Sequence, residues 1–255
     1  MIMPGLSPAD FSVKKKNKEK ITCLTAYDVF TAQVLERSGI DIILVGDSLG
    51  NVILGYQKTS QVTIEDMIRH TQAVRRGAPN TFVVADIPFE SVTAGDQKMI
   101  SDAQRLIKEA GADAVKIEGA SNIDLIKKMT SAGLPVMGHI GYLPQTAAKP
   151  QLFGKGKRES AILINEALSL EEAGAFSVVL EMVDREAASS ITQSVNIPTI
   201  GIGSGNFCDG QVLVINDMVG LTFGKVPSFA KKYDDLGARL KESVKKYIED
   251  VRRSS

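Results

Sequence analysis

Four carboxylates stand at the ends of short, branched apolar runs: Asp47 after Ile42-Ile43-Leu44-Val45, Asp86 after Val83-Val84-Ala85, Glu118 after Val115-Lys116-Ile117, and Glu181 after Val178-Val179-Leu180. Acids carried to one rim by the ends of several buried parallel strands can assemble a metal-assisted active site. Asp47 lies in Val45-Gly46-Asp47-Ser48-Leu49-Gly50, where glycine lets the backbone approach a ligand closely. Its carboxylate either caps the turn or holds a hard cation such as Mg²⁺. An Asp86 on the adjacent strand end would lie beside it, and two neighbouring carboxylates repel unless a cation or proton intervenes. That pairing favours the metal.

Lys116 and Glu118 are two residues apart, so in a strand they share a face while Val115 and Ile117 take the other. Lumen-facing charges are costly to bury unless they are paired or functional. The pair is either an internal ion pair or a substrate-carboxylate lysine beside a metal-linked glutamate. Glu181 sits in an apolar strand, where desolvation raises a carboxyl pKa toward the range of a general base; a buried Glu satisfied by a lysine is the alternative. His139, in Gly138-His139-Ile140-Gly141, is either a hydrogen-bonded core residue or a participant at the rim. His70 falls within a helical pattern and reads as structural. Gly201-Ile202-Gly203-Ser204-Gly205 could bring backbone N–H groups to an anion, a weak signal by itself.

The elements that must position these groups alternate. Ile21–Ala26, Asp41–Gly46, Thr81–Ile87, Ala114–Ile117, Pro135–Ile140, Ser177–Met182 and Pro198–Ile202 read as buried parallel strands, with Gln211–Ile215 a less marked eighth. Between them Val29–Ser38, Thr63–Arg76, Asp96–Ala110, Ile123–Ala132, Glu159–Ala173 and Arg185–Ser194 show helical periodicity. Gly39, Gly77, Gly111, Gly133 and Gly174 each follow a helix and precede a strand, as left-handed C-caps would. Alternation fits a doubly wound sheet or a closed barrel, and eight strands with no dividing linker favour the barrel. The fold class is therefore α/β, a single (β/α)8 TIM barrel over residues 1–255, with an N-terminal helical extension over 1–20 and a C-terminal helix over 234–255. The basic stretch Lys14-Lys15-Lys16-Asn17-Lys18 reads as solvated surface.

With 30 basic and 30 acidic side chains among 255 residues, the chain has no net charge to attract nucleic acid or an anionic membrane. Cys23 and Cys208 are too few and too isolated for a secreted disulfide framework and read as reduced thiols. No basic, apolar leader opens the sequence and no apolar stretch approaches the roughly 18 residues that span a bilayer. A cytoplasmic protein with a small neutral or anionic ligand is the expectation.

Taken together, Thr25-Ala26-Tyr27-Asp28, Val45-Gly46-Asp47-Ser48-Leu49-Gly50, Met67-Ile68-Arg69-His70, Gly138-His139-Ile140-Gly141 with Pro144-Gln145, and Gly201 through Val214 closely resemble the ketopantoate hydroxymethyltransferase family. The resemblance runs from about Ile21 to Gly220. It implies a barrel of the phosphoenolpyruvate/pyruvate type that uses Mg²⁺ and transfers a one-carbon unit from 5,10-methylenetetrahydrofolate to 3-methyl-2-oxobutanoate through a metal-stabilised enolate. The product, ketopantoate, feeds pantothenate and coenzyme A synthesis. Carried onto this sequence, it implies Asp47 and Asp86 as metal ligands and Glu118 as a third ligand or one joined through water. Ser48 and Lys116, with Asp47 and Asp86, would bind the oxoacid; Glu181 would be the base and His139 an auxiliary group. Family members form ring-like homo-oligomers, commonly decamers. Ser204 stands where the family commonly has alanine, and the segment 146–160 is only loosely similar, its glycines and lysines suiting a mobile cover.

Two other readings share many of these residues. A related Mg²⁺-dependent lyase or transferase would join the oxoacid enolate to an aldehyde in place of folate. A non-catalytic barrel would bind an oxoacid or scaffold an assembly, at the unexplained cost of keeping internal charges.

Overall fold

The computed structural model describes residues 5–253 of the chain. In order, the elements are α1 (Pro8–Lys16), β1 (Ile21–Thr25), α2 (Val29–Arg37), β2 (Ile42–Val45), α3 (Leu49–Val52), α4 (Ile64–Gly77), β3 (Phe82–Asp86), α5 (Phe89–Thr93), α6 (Asp96–Lys108), β4 (Ala114–Glu118), α7 (Ile123–Ser131), β5 (Val136–Gly141), α8 (Lys157–Glu172), β6 (Ser177–Glu181), α9 (Arg185–Ser194), β7 (Thr199–Ile202), β8 (Gly210–Leu213), α10 (Ile215–Met218) and α11 (Leu236–Arg253). The chain divides into two compact units, Met1–Val212 and Leu213–Ser255.

In the first unit the strands hydrogen-bond in sequence order around a closed barrel, each of β1 to β7 running parallel to the strand that follows it. Alternation of side chains along a strand decides what fills it. Ile42 and Leu44 of β2, Phe82 and Val84 of β3, Ala114 of β4, Met137 of β5 and Val179 of β6 belong to one buried interior cluster. Two residues further along β3, β4, β5 and β6 come Asp86, Lys116, His139 and Glu181, so the same inward face turns from apolar to charged toward the strand ends. At the other end of the barrel, Phe11 of α1 meets Phe82 edge-on with ring centroids 5.1 Å apart, Phe82 meets Phe176 at 5.6 Å, and all three rings join the same cluster.

The predicted strands and the six longer helices form, with ends displaced by one or two residues. Three short helices, α3, α5 and α10, were not foreseen. The eighth strand stops at Leu213, because Ile215 opens α10. Gly39, Gly111, Gly133 and Gly174 take positive φ as C-caps should. Gly77 does not: it is the last residue of α4, where a Cβ would lie 2.3 Å from the Val29 carbonyl oxygen, so glycine there permits α2 and α4 to pack closely. The basic stretch is also more engaged than a solvated surface. Lys15 Nζ donates to the carbonyls of Thr192 and Ile197 and to Asp209 at 2.9–3.0 Å, and Lys14 pairs with Asp41 at 2.9 Å. α1 ends at Lys16, short of the expected Lys20, with Lys18 at φ 59°. The outermost positions of the two terminal expectations, 1–4 and 254–255, lie outside the described residues.

Cys23 and Cys208 are buried and free, as expected. Among the described residues no helix is long and apolar enough to cross a membrane. In the second unit, α11 is an 18-residue helix with Leu240, Val244 and Tyr247 exposed.

Candidate active site

The register of the parallel strands brings the charged residues level. Asp86 of β3 lies opposite Lys116 of β4, Glu118 of β4 opposite His139 of β5, and Gly141 of β5 opposite Glu181 of β6. Asp47 follows β2 by two residues, and its backbone N–H donates to Asp86 Oδ2 at 3.0 Å. Lys116 Nζ is 3.2 Å from Asp86 Oδ1 and 3.3 Å from His139 Nδ1. His139 in turn places Nδ1 3.7 Å from Glu118 Oε1 and Nε2 3.3 Å from Glu181 Oε2. The Lys116 contact to Asp86 and the His139 contact to Glu181 are at ion-pair distance without hydrogen-bond alignment, so Asp86 Oδ1 and His139 Nε2 are buried with no aligned partner. The structure thus brings together Asp47, Asp86, Lys116, Glu118, His139 and Glu181.

Ser48 stands at the edge of this group. Its hydroxyl shares a 2.8 Å hydrogen bond with the phenol of buried Tyr27. His70 Nδ1 contacts the Tyr27 carbonyl at 2.6 Å, so His70 supports the site from behind, in keeping with a structural role. The glycine loop after β7 contributes through Ser204, whose hydroxyl donates to the Leu180 carbonyl at 2.7 Å and accepts from Val183 N–H at 2.9 Å. A serine at that position is fully satisfied, which explains why it is tolerated.

Sequence reasoning missed Gln145 as a site residue. Its side-chain amide donates to Asp47 Oδ2 and to the Ile87 carbonyl, both at 2.9 Å, and its backbone N–H donates to Glu118 Oε2 at 3.1 Å. One residue of the segment after β5 therefore ties down two of the four acids. Its place in Pro144-Gln145, one of the stretches that carry the family resemblance, was the signal that could have found it, because an uncharged amide in a loop carries neither period nor charge. The same segment is pinned again at Phe153, whose N–H donates to the Met182 carbonyl at 2.8 Å.

Four carboxylates share this layer with one ammonium, and burial dominates their chemistry. It lifts Asp86 to about 7 against the pull of Lys116, Glu118 to about 8, and Glu181 to about 7, and it raises Asp47 as well. Burial opposes the charge on Lys116, but Asp86, Glu118 and Asp47 outweigh it and hold the ammonium above its ordinary pKa. Burial and then Lys116 keep His139 far below its usual value, so the ring is neutral near pH 7. Among the described residues no three of His, Cys, Asp and Glu converge as a self-sufficient metal site. Mg²⁺ does not need one: it is ordinarily held by one or two carboxylates together with substrate oxygens and water. The adjacent Asp47 and Asp86, the excess of buried acid and the unaligned Asp86 Oδ1 fit such an ion.

An eight-stranded parallel barrel with its polar groups at the carboxyl ends of β2 to β6 is a (β/α)8 fold, one shared with solved members of the phosphoenolpyruvate mutase/isocitrate lyase superfamily. A solved 2,3-dimethylmalate lyase of that superfamily superposes with a TM-score of 0.63 over 96% of this chain and 87% of its own, at 17% identity. A phosphonopyruvate hydrolase solved with oxalate and Mg²⁺ gives 0.65 over 97% and 87%, at 12% identity. The family is narrower: residues 6–255 match the model of the ketopantoate hydroxymethyltransferases, and the chain belongs to that family. The 3-methyl-2-oxobutanoate hydroxymethyltransferase of Pseudothermotoga lettingae is 51% identical over 92% of this chain and 91% of its own length. The enzymes of the same name from Thermosipho africanus and Pyrobaculum neutrophilum are 51% and 48% identical, over 94% and 98% of this chain and 92% and 96% of theirs.

Proposed function

We propose that the protein transfers a hydroxymethyl group from 5,10-methylenetetrahydrofolate to 3-methyl-2-oxobutanoate, forming ketopantoate and tetrahydrofolate on the route to pantothenate and coenzyme A. The observation that carries this reading is the convergence of Lys116, the Asp47–Asp86 pair and a raised-pKa Glu181 on one inward layer. Lys116, a permanent cation in a dry setting, binds the oxoacid carboxylate, and the Ser48 hydroxyl, held by Tyr27, adds a second polar contact. Asp47 and Asp86 would hold Mg²⁺, with Glu118 as a third ligand or one joined through water; when bound, the ion withdraws electron density from the 2-oxo group and acidifies C3. Glu181 takes the C3 proton, and the electron pair of the broken C–H bond moves into the 2-oxo group. C3 then attacks the folate methylene, opened to an iminium, forming the C3–CH2 bond; the remaining CH2–N bond breaks as water gives its oxygen to that carbon and one proton to the folate nitrogen, which leaves as tetrahydrofolate.

NMR of 3-methyl-2-oxobutanoate in D₂O tests the scheme stepwise. The expected result is loss of the C3 proton signal only with protein and Mg²⁺, followed by ketopantoate when the folate donor is added. Exchange without transfer would shift the donor to an aldehyde; no exchange by folded protein would leave a binding barrel. The rate carries a sign as well. A base works only when ionised, so exchange kcat/KM falls about tenfold per unit as pH drops below the Glu181 value of about 7. Bound Mg²⁺ displaces that limb downward by favouring ionised carboxylates. A rate unchanged from pH 8 to pH 4 would exclude Glu181 as the base.

We also propose that the protein is a cytoplasmic homo-oligomer, a decamer if it follows the assembly common in the family it resembles. Leu240, Val244 and Tyr247 recur at the helical spacing along α11 and stay exposed, a stripe of the sort that packs against another chain. Leu240→Glu with Val244→Glu should reduce the mass seen by analytical ultracentrifugation, and an unchanged mass would place the contact elsewhere.

A further inference from the structure

The reaction as proposed gives His139 no task, yet its ring is buried among three charged groups. Its neighbours dictate where its proton sits. Lys116 is a donor with no lone pair to offer, and it lies 3.3 Å from Nδ1; a proton on Nδ1 would point at an ammonium. Glu118 Oε1 could accept from Nδ1, but it is further away, at 3.7 Å. Nδ1 is therefore the acceptor, and a neutral ring must then carry its proton on Nε2. That nitrogen faces Glu181 Oε2 at 3.3 Å and has no aligned partner. Donors in a substrate-free site are often misaligned and tighten only when the substrate is seated.

We propose that His139 is a positioning residue: Lys116 fixes its tautomer, and its Nε2–H holds the Glu181 carboxylate in the orientation that faces C3 of the substrate. One cation thus serves two ends, binding the oxoacid and aiming the base through the imidazole. The inference rests on the reading of Glu181 as the base.

The protein has two histidines, so ¹⁵N-histidine labelling gives two ring systems, and His139→Gln assigns them by loss of one. The expected spectrum of His139 at pH 7.5 has a protonated Nε2 and a bare Nδ1; the opposite tautomer overturns the proposal. Kinetics at the same pH, about one unit above the ordinary histidine pKa, supply the second arm. His139→Asn, which leaves nothing at the ε position, should lower kcat for C3 exchange by about 100-fold, the scale of a 1 Å misplacement of a reacting group, with KM little changed. His139→Gln, which restores an amide donor there, should recover to within about tenfold of the parent. Equal losses in both variants, or a loss confined to KM, would mean a packing role and sink the proposal. Glu181→Gln is assayed beside them. Full exchange by that variant would overturn the base reading and this inference together, whereas loss in Glu181→Gln with none in His139→Asn would overturn only the inference.

Discussion

Glu181→Gln is expected to bind 3-methyl-2-oxobutanoate with Mg²⁺ as tightly as the parent and to slow exchange of its C3 proton by about 10³-fold, within the range that a positioned general base contributes. The amide keeps the shape of the carboxyl and can still meet His139, so the fold is not disturbed. What it lacks is a lone pair basic enough to take the proton. Burial has already raised the Glu181 carboxyl to about 7, so the parent side chain accepts a proton far more readily than an ordinary surface glutamate. Isothermal titration of the oxoacid against the D₂O exchange rate separates the two effects. Equal losses of binding and exchange would make Glu181 a binding residue instead.

Asp86→Asn should have the second largest effect, on the metal. The asparagine side-chain oxygen can still accept the Asp47 N–H, which the carboxylate now accepts at 3.0 Å, so the turn after β2 persists. The negative charge facing Lys116 is lost, and with it half of the carboxylate pair proposed for Mg²⁺. Mg²⁺ affinity in the presence of oxoacid should fall by at least about 100-fold, since removing even an outer partner of a metal ligand costs 10- to 100-fold. The readout is a Mg²⁺ titration of oxoacid binding, independent of turnover. An unchanged titration would move the ion away from Asp86.

The barrel was legible because its strands are buried on both faces and so announce themselves as short runs of Val, Ile and Leu between turns. The charged layer was legible for the opposite reason: Asp86, Lys116 and Glu181 interrupt those runs at positions where solvation cannot explain them. Short helices such as α3 and α5 escaped, since one turn is too brief to show a 3.6-residue period. Gly77 looked like the other helix-ending glycines because a close helix contact and a left-handed cap demand the same residue. Lys15 looked solvated because its acceptors, Thr192, Ile197 and Asp209, lie far along the chain. Gln145 and Tyr27 act through partners that only the closed barrel brings near.

Phe11, Phe82 and Phe176, packed edge-to-face and tilted, fill the foot of the barrel with aromatic rings, opposite the end that carries the charged layer. On the proposed reaction, an oxoacid seated on Lys116 would lie at the strand ends, and the folate donor, by far the larger molecule, would have to stand over it from the rim side. On the proposed reaction we therefore expect a queue: the small reactant enters first, the carrier follows, and the new product waits until the spent carrier has gone.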